Sequence, residues 1–255
     1  YYVNDSGRQM NILALSVLIK ILNLKGASLT LPRISYQGSY LEQIAKEIQN
    51  STEVSFDNLL EQGGLRDSYP SCSAEEEIDK LIADFQHQLG IENFDRLTDS
   101  VSSLMVTSIK KDLEQFGVVY NNWFSEREMI KKGLVQKSIQ QLNDNNLTYK
   151  KGGALWLKTT NFGDDKDRVV IREDGRSTYF ASDIAYHFDK RFRGFDLLLD
   201  VLGSDHHGYL ARLGAGLAAM NEPQESLEIS LVQFVSLFEK NKKVQMSTRL
   251  VSLLH

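Results

Sequence analysis

The most constraining feature lies in the last third of the chain, where apolar strands and helices alternate at crossover spacing. Ser177–Ala181 reads as a short strand that enters a helix near Ser182. Asp196–Leu202 follows as an apolar strand within LLLDVLG, and a helix is expected from His206 to about Met220. Leu227–Val235 is the next apolar strand. Parallel strands cannot be joined by a tight turn and need a crossover, usually a helix. Near-continuous apolar runs, rather than alternating ones, mark strands covered on both faces. The pattern therefore predicts an α/β fold with a parallel sheet.

Upstream, the periodicity changes. Residues 1–3 read as the end of a strand, and Ile12, Leu13, Val17, Ile21 and Leu22 follow helical spacing up to Gly26. Pro32 and Gly38 punctuate a loop over 27–40, and Leu41–Gln49 suits a short helix. Ser73 with Glu76, and Ser125 with Glu128, have the spacing of capping boxes. The first opens a helix ending at Gly90, and the second opens one running to about Leu142. Between them lie a helix from Val101 to Phe116 and a strand over residues 118–124. LTYK, ALWLK and DRVVIR, separated by turn residues, read as an antiparallel meander. The organisation is a mostly helical, mixed block between two α/β pieces.

Composition narrows the function classes. With 255 residues and 42% hydrophobic content, a sizeable core is available. A net charge of -5 argues against nucleic-acid binding by bulk positive charge, though not against a local basic patch. One cysteine, Cys72, permits no internal disulfide and fits a reducing cytoplasm. His206 and His207 are adjacent and cannot share a helix face, so no metal site is expected. No run approaches the roughly 18 apolar residues of a membrane span. The opening YYVNDSGRQMN lacks the basic start of a signal peptide and begins abruptly, as an excised chain would.

Ligands of open α/β sheets sit beyond the carboxyl ends of the strands, and three segments place polar groups there. In TYFASDIAYH, Tyr179 and Asp183 are four residues apart, so a helix would point both into one cleft. A carboxylate there can take a guanidinium through two parallel hydrogen bonds. The plainer reading makes Asp183 a helix-end charge and Tyr179 a core residue. In VLGSDHHGY, Gly203 lets a ligand approach the backbone and Asp205 can accept from a ribose. Its alternative is an ordinary helix cap beside a polar His206. In KNKKVQMSTR, Lys240, Lys242, Lys243, Ser247 and Arg249 can neutralise phosphates. A solvated charge run is the competing account.

Taken together, these segments resemble the class I aminoacyl-tRNA synthetases, and within them arginyl-tRNA synthetase of the bacterial type. YYVNDSGRQM resembles the stretch after the family's HIGH helix, and LPRISYQGSYL its entry into the connective insertion. IKKDLEQFGVVYNNWFSE, GALWLKTTNFGDDKDRVVIREDG and DVLGSDHHGY are similar to family blocks, and VQMSTR resembles its KMSKS loop. The resemblance implies a Rossmann-like parallel sheet in two parts, residues 1–30 and 177–255, interrupted by a mixed α+β connective insertion over 31–176. It implies arginine activation by ATP with magnesium, without a tightly bound cofactor, and transfer to the 3′ end of tRNA-Arg in protein synthesis. Activation in this family usually requires the tRNA. A cytoplasmic monomer with no membrane association is expected. Tyr179, Asp183 and His206 would bind arginine, with Asp183 on the guanidinium. Gly203, Asp205 and Ser247 would contact ATP, and Gln245, Met246, Ser247, Thr248 and Arg249 would form the catalytic signature loop.

Three departures accompany the resemblance. No HIGH motif is present; it would lie before Tyr1, so these residues alone are expected to be inactive. Gln245 and Thr248 stand where the wider class has lysines, leaving Arg249 to supply charge. LVSLLH replaces the expected continuation after Arg249 and reads as a join across an omitted stretch. The competing function is a synthetase-like module that has lost catalysis and binds RNA or protein.

Overall fold

The computed structural model describes residues 1–51, 56–61, 68–206, 208–233 and 235–244. Two compact units result, one of residues 1–124 with the hairpin at 237–244 and the other Ser125–Ser236.

The first unit is helical. β1 (Tyr2–Val3) leads into α1 (Arg8–Leu24), in which ten residues between Ile12 and Leu22 are buried. A helix apolar on every side must be enclosed on every side. Its neighbours are α2 (Tyr40–Ser51), α4 (Ala74–Leu89) and α5 (Ile91–Gln115), with the short α3 (Asp57–Glu61) lying between the first two of these in sequence. Buried Ser16 donates to Ile12 O at 2.7 Å and accepts from Tyr36 N–H at 3.1 Å, so the hydroxyl is satisfied twice. The Ser73–Glu76 capping box forms reciprocally, and Gly90 ends α4 as expected. The helix expected from Val101 begins ten residues earlier, at Ile91.

The strand expected over 118–124 does not form. Only β2 (Phe124–Ser125) is extended, and Tyr1, Tyr120 and Trp123 pack their rings together instead. The aromatic side chains of this stretch pack on the sequence-distant Tyr1 rather than joining a longer strand. In the same unit β8 (Leu237–Glu239) and β9 (Lys242–Val244) make an antiparallel hairpin.

The second unit opens with α6 (Glu126–Lys131) and α7 (Leu134–Asp144) where one helix was expected. Ser125 does cap the start, accepting from Glu128 N–H at 3.0 Å, but Gly133 at φ 68° breaks the helix. The meander forms as expected: β3 (Thr148–Lys151), β4 (Ala154–Leu157) and β5 (Arg168–Ile171), antiparallel in that order. After it come α8 (Tyr179–Phe192), β6 (Leu198–Gly203), α9 (Tyr209–Ala219) and β7 (Leu227–Val232).

β6 and β7 pair in parallel, register Leu198 to Leu227 through Gly203 to Val232. The expected third strand at 177–181 is absent. Thr178 donates through its hydroxyl to Val169 O at 2.8 Å and caps α8 by accepting from Ala181 N–H, so the helix starts at Tyr179. Nor is β6 buried on both faces. Leu198 and Asp200 face the helices, whereas Leu199 and Val201 are 57% and 65% exposed. Among the described residues, helices cover one face of this pair.

Helices α8 and α9 approach closely at Gly216. A methyl group there would lie 2.8 Å from Ile184 Cγ1 and 3.3 Å from its Cδ1. Gly216→Ala is therefore expected to destabilise this unit by about 1–3 kcal/mol through overpacking, despite alanine's better helix propensity. Urea denaturation of the variant checks this; an unchanged midpoint contradicts it.

Candidate functional site

Thr178 fixes where α8 begins, and this decides which residues meet. Tyr179 is the first helical residue and is 73% exposed. Asp183 lies one turn on, keeping only a small part of its surface in solvent. The two share a helix side, but only Asp183 is enclosed. Its Oδ2 accepts a hydrogen bond from the Tyr209 hydroxyl, on the first turn of α9. Burial raises the Asp183 carboxyl above its ordinary range; the Tyr209 hydrogen bond and His187 oppose this, while Glu126 and Asp200 add to it. Burial likewise raises the Tyr209 phenol, reinforced by the Asp183 charge.

A second carboxylate, Asp200, is held by His187, whose other ring nitrogen contacts the Asp183 backbone rather than its carboxylate. His187 Nδ1 lies 2.7 Å from Asp183 O, and Nε2 lies 2.6 Å from Asp200 Oδ2. Each ring nitrogen thus lies within hydrogen-bond reach of an oxygen. Lys190 Nζ donates to Asp200 Oδ1 at 2.6 Å, and its ammonium stands 4.4 Å from the Tyr186 ring centre. Burial pushes the Asp200 carboxyl up, but the His187 hydrogen bond and charge, with Lys190, outweigh it and hold the group at about 2.

At the carboxyl end of β6, residues 204–206 form a short turn of tight helix. A methyl group at Gly203 would sit 2.6 Å from Asp205 Oδ1, an exposed side-chain end that can swing aside. Asp205 and His206 remain substantially exposed, with 3.6 Å between Asp205 Oδ2 and His206 Nε2. The His206 ring meets Tyr209 edge-on at 5.3 Å. DVLGSDHHGY thus reaches Asp183 through Tyr209, a residue the sequence reading did not select. His187, Lys190 and Asp200 were also missed, although a charged residue inside LLLDVLG signals a buried partner. Gln245, Met246, Ser247, Thr248 and Arg249 lie outside the described residues. A separate concavity of about 800 Å³ in the first unit, walled by Tyr2, Tyr36, Tyr40 and Glu47, contains none of the expected site residues.

The arrangement presents a desolvated carboxylate with one oxygen capped. The Tyr209 bond takes Oδ2, and a partly enclosed carboxylate of this kind attracts a cationic donor.

The model of the class I (R) tRNA synthetase catalytic domain matches residues 39–254. The chain belongs to this family. Among curated relatives, an arginine–tRNA ligase of Legionella pneumophila (Philadelphia 1) is 42% identical over 260 residues, covering 98% of this chain and 43% of that protein. One from Vesicomyosocius okutanii is 43% identical over 251 residues, with the same coverage. The chain thus spans less than half the length of these relatives. A Campylobacter jejuni structure described as an arginyl-tRNA synthetase superposes with a TM-score of 0.71 at 32% identity, over 96% of this chain and 47% of that one. The Plasmodium falciparum arginyl-tRNA synthetase, at 13% identity and a TM-score of 0.55 over 91% of this chain and 35% of that one, shares the fold. The class I synthetase α/β fold expected from the sequence is therefore the fold of this chain. Among the described residues no helix is long and apolar enough to cross a membrane.

Proposed function

We propose that this chain is a catalytic-domain segment of an arginine–tRNA ligase. In this reading Asp183 receives the guanidinium of L-arginine, with Tyr179 and His206 at the rim of the pocket. The observation that carries the reading is the largely enclosed Asp183 carboxylate held through Oδ2 by Tyr209, in a chain of the class I (R) family. Gly203 and Asp205 hold the ribose of ATP, and Asp205 has the exposed carboxylate that such a contact needs. Gln245, Met246, Ser247, Thr248 and Arg249 supply the phosphate-binding loop, where Ser247 donates and Arg249 brings positive charge. Magnesium enters with ATP as part of the substrate; among the described residues no cluster of three or more acidic, histidine or cysteine side chains forms a separate metal site.

The chemistry is attack of the arginine carboxylate on the α-phosphorus, giving arginyl-adenylate and pyrophosphate, then attack of a hydroxyl of the 3′-terminal ribose of tRNA-Arg on the arginyl carbonyl, releasing AMP. Orientation and charge stabilisation carry it, and no protein nucleophile is used. Residues 1–30 and 177–255 belong to the nucleotide-binding domain, and 31–176 to the connective insertion. This is a division by function, separate from the two units defined by contacts. The working enzyme is a cytoplasmic monomer. The 255 residues alone are expected not to charge tRNA, because they span under half of the relatives they match. The relatives are named as ligases, and nothing favours a module that only binds RNA or protein.

The test is amino-acid-dependent tRNA charging by the complete polypeptide. Arginine should support it, and citrulline, a near isostere without the charge, should be rejected by about 10⁴-fold in kcat/KM. Equal use of citrulline, or preference for another amino acid, overturns the proposal.

A further inference from the structure

We infer that Tyr209 is a positioning residue of the arginine pocket, holding the Asp183 carboxylate in one orientation so that Oδ1 faces the incoming guanidinium. The inference rests on the proposed function, because it needs Asp183 to be the guanidinium partner.

The geometry joins two elements. Asp183 is on α8 and Tyr209 opens α9, 26 residues later, and their hydrogen bond spans the two helices. The phenol ring has two further neighbours. His206 meets the ring edge-on, and the Arg212 guanidinium lies 5.4 Å from its centre. A short aspartate side chain anchored by so constrained a donor has little rotational freedom, so less order is lost when a ligand binds.

Charge gives Tyr209 a second role. The groups acting on Asp183 are His187 on its own helix, Glu126 on α6, Asp200 on β6 and Tyr209 on α9. Burial and the two neighbouring carboxylates favour a neutral Asp183, whereas Tyr209 and His187 favour the anion. Without the phenol, His187 alone would oppose protonation. A neutral Asp183 has no net charge with which to select a cation.

The experiment compares Tyr209→Phe and Asp183→Asn with the parent in the complete polypeptide, measuring arginine kinetics from pH 5.5 to 8.5. Phenylalanine keeps the ring contacts with His206 and Arg212, and an unchanged KM for ATP verifies that the site is folded. Tyr209→Phe should raise the arginine KM about 10–100-fold, the scale of a lost hydrogen bond to a charged group, with kcat nearly unchanged. The acid limb of kcat/KM for arginine should also move to higher pH, since that limb reports groups of the free enzyme. An unmoved acid limb, or a parental KM, overturns the inference. Asp183→Asn separates the two levels: if it binds arginine normally, the pocket assignment itself fails; if it loses arginine while Tyr209→Phe behaves as parent, only the role of Tyr209 falls.

Discussion

Asp183→Asn in the complete polypeptide is expected to abolish efficient use of arginine while leaving the fold at least as stable as before. The two halves of this result have opposite physical signs. Losing a desolvated charge partner costs about 2–5 kcal/mol of binding, or roughly 30-fold to several thousand-fold in affinity. Stability behaves differently because Asp183 is raised above its ordinary range by burial. At low pH it is protonated in both the folded and unfolded chain and costs nothing. As pH rises past its unfolded value, the unfolded chain loses the proton first, so the folded state becomes relatively less stable. Asparagine removes that penalty and can still accept from Tyr209. Charging kinetics and a thermal melt on one preparation check both halves. A normal arginine KM, or a melting temperature lowered by many degrees, refutes the account.

Asp200→Ala should have the largest effect on stability. It leaves His187 and Lys190 facing each other in a buried site without their shared carboxylate. Removing one member of a buried ion pair costs about 3–5 kcal/mol. Asp200→Asn should cost less, since its amide oxygen still accepts one hydrogen bond. The pH dependence follows from the depressed carboxyl, held at about 2 against an ordinary 3.8. Its contribution, roughly 2 kcal/mol, is fully present above the unfolded value. It is lost as pH falls through about 2. The stability gap between parent and Asp200→Asn in urea titrations should therefore be constant above pH 5 and narrow between pH 4 and pH 2. A gap independent of pH across that window rules out the charged pair as its source.

Much of the local structure was legible because short-range chemistry specifies it. The Ser73–Glu76 box, the Gly90 stop and the three meander strands with their turns each depend on residues within a few positions of one another. Misreadings arose where distant contacts overrode a local pattern. Residues 118–123 have strand-like content but satisfy it by ring packing. Residues 177–181 lost their strand to the Thr178 cap, whose partner Val169 belongs to the meander. Gly133 broke one expected helix into two, an effect that a single glycine in a helical pattern only hints at.

The site divides the same way. Asp183 was visible as an acid near a helix start at a sheet's carboxyl edge, and family resemblance gave it a ligand. Tyr209 was not visible, because nothing in HHGY says which of its side chains turns back toward α8. The sequence by itself determined the meander, the parallel crossover between β6 and β7, the family, and the kinds of charge available to the site. Only the tertiary structure decided that Tyr209 bonds the Asp183 carboxylate, and that His187 and Lys190 converge on Asp200. The reason is that propensity and periodicity act over a few residues of chain, whereas the electrostatic state of a carboxylate depends on burial and on neighbours that packing brings from 17 and 26 positions away.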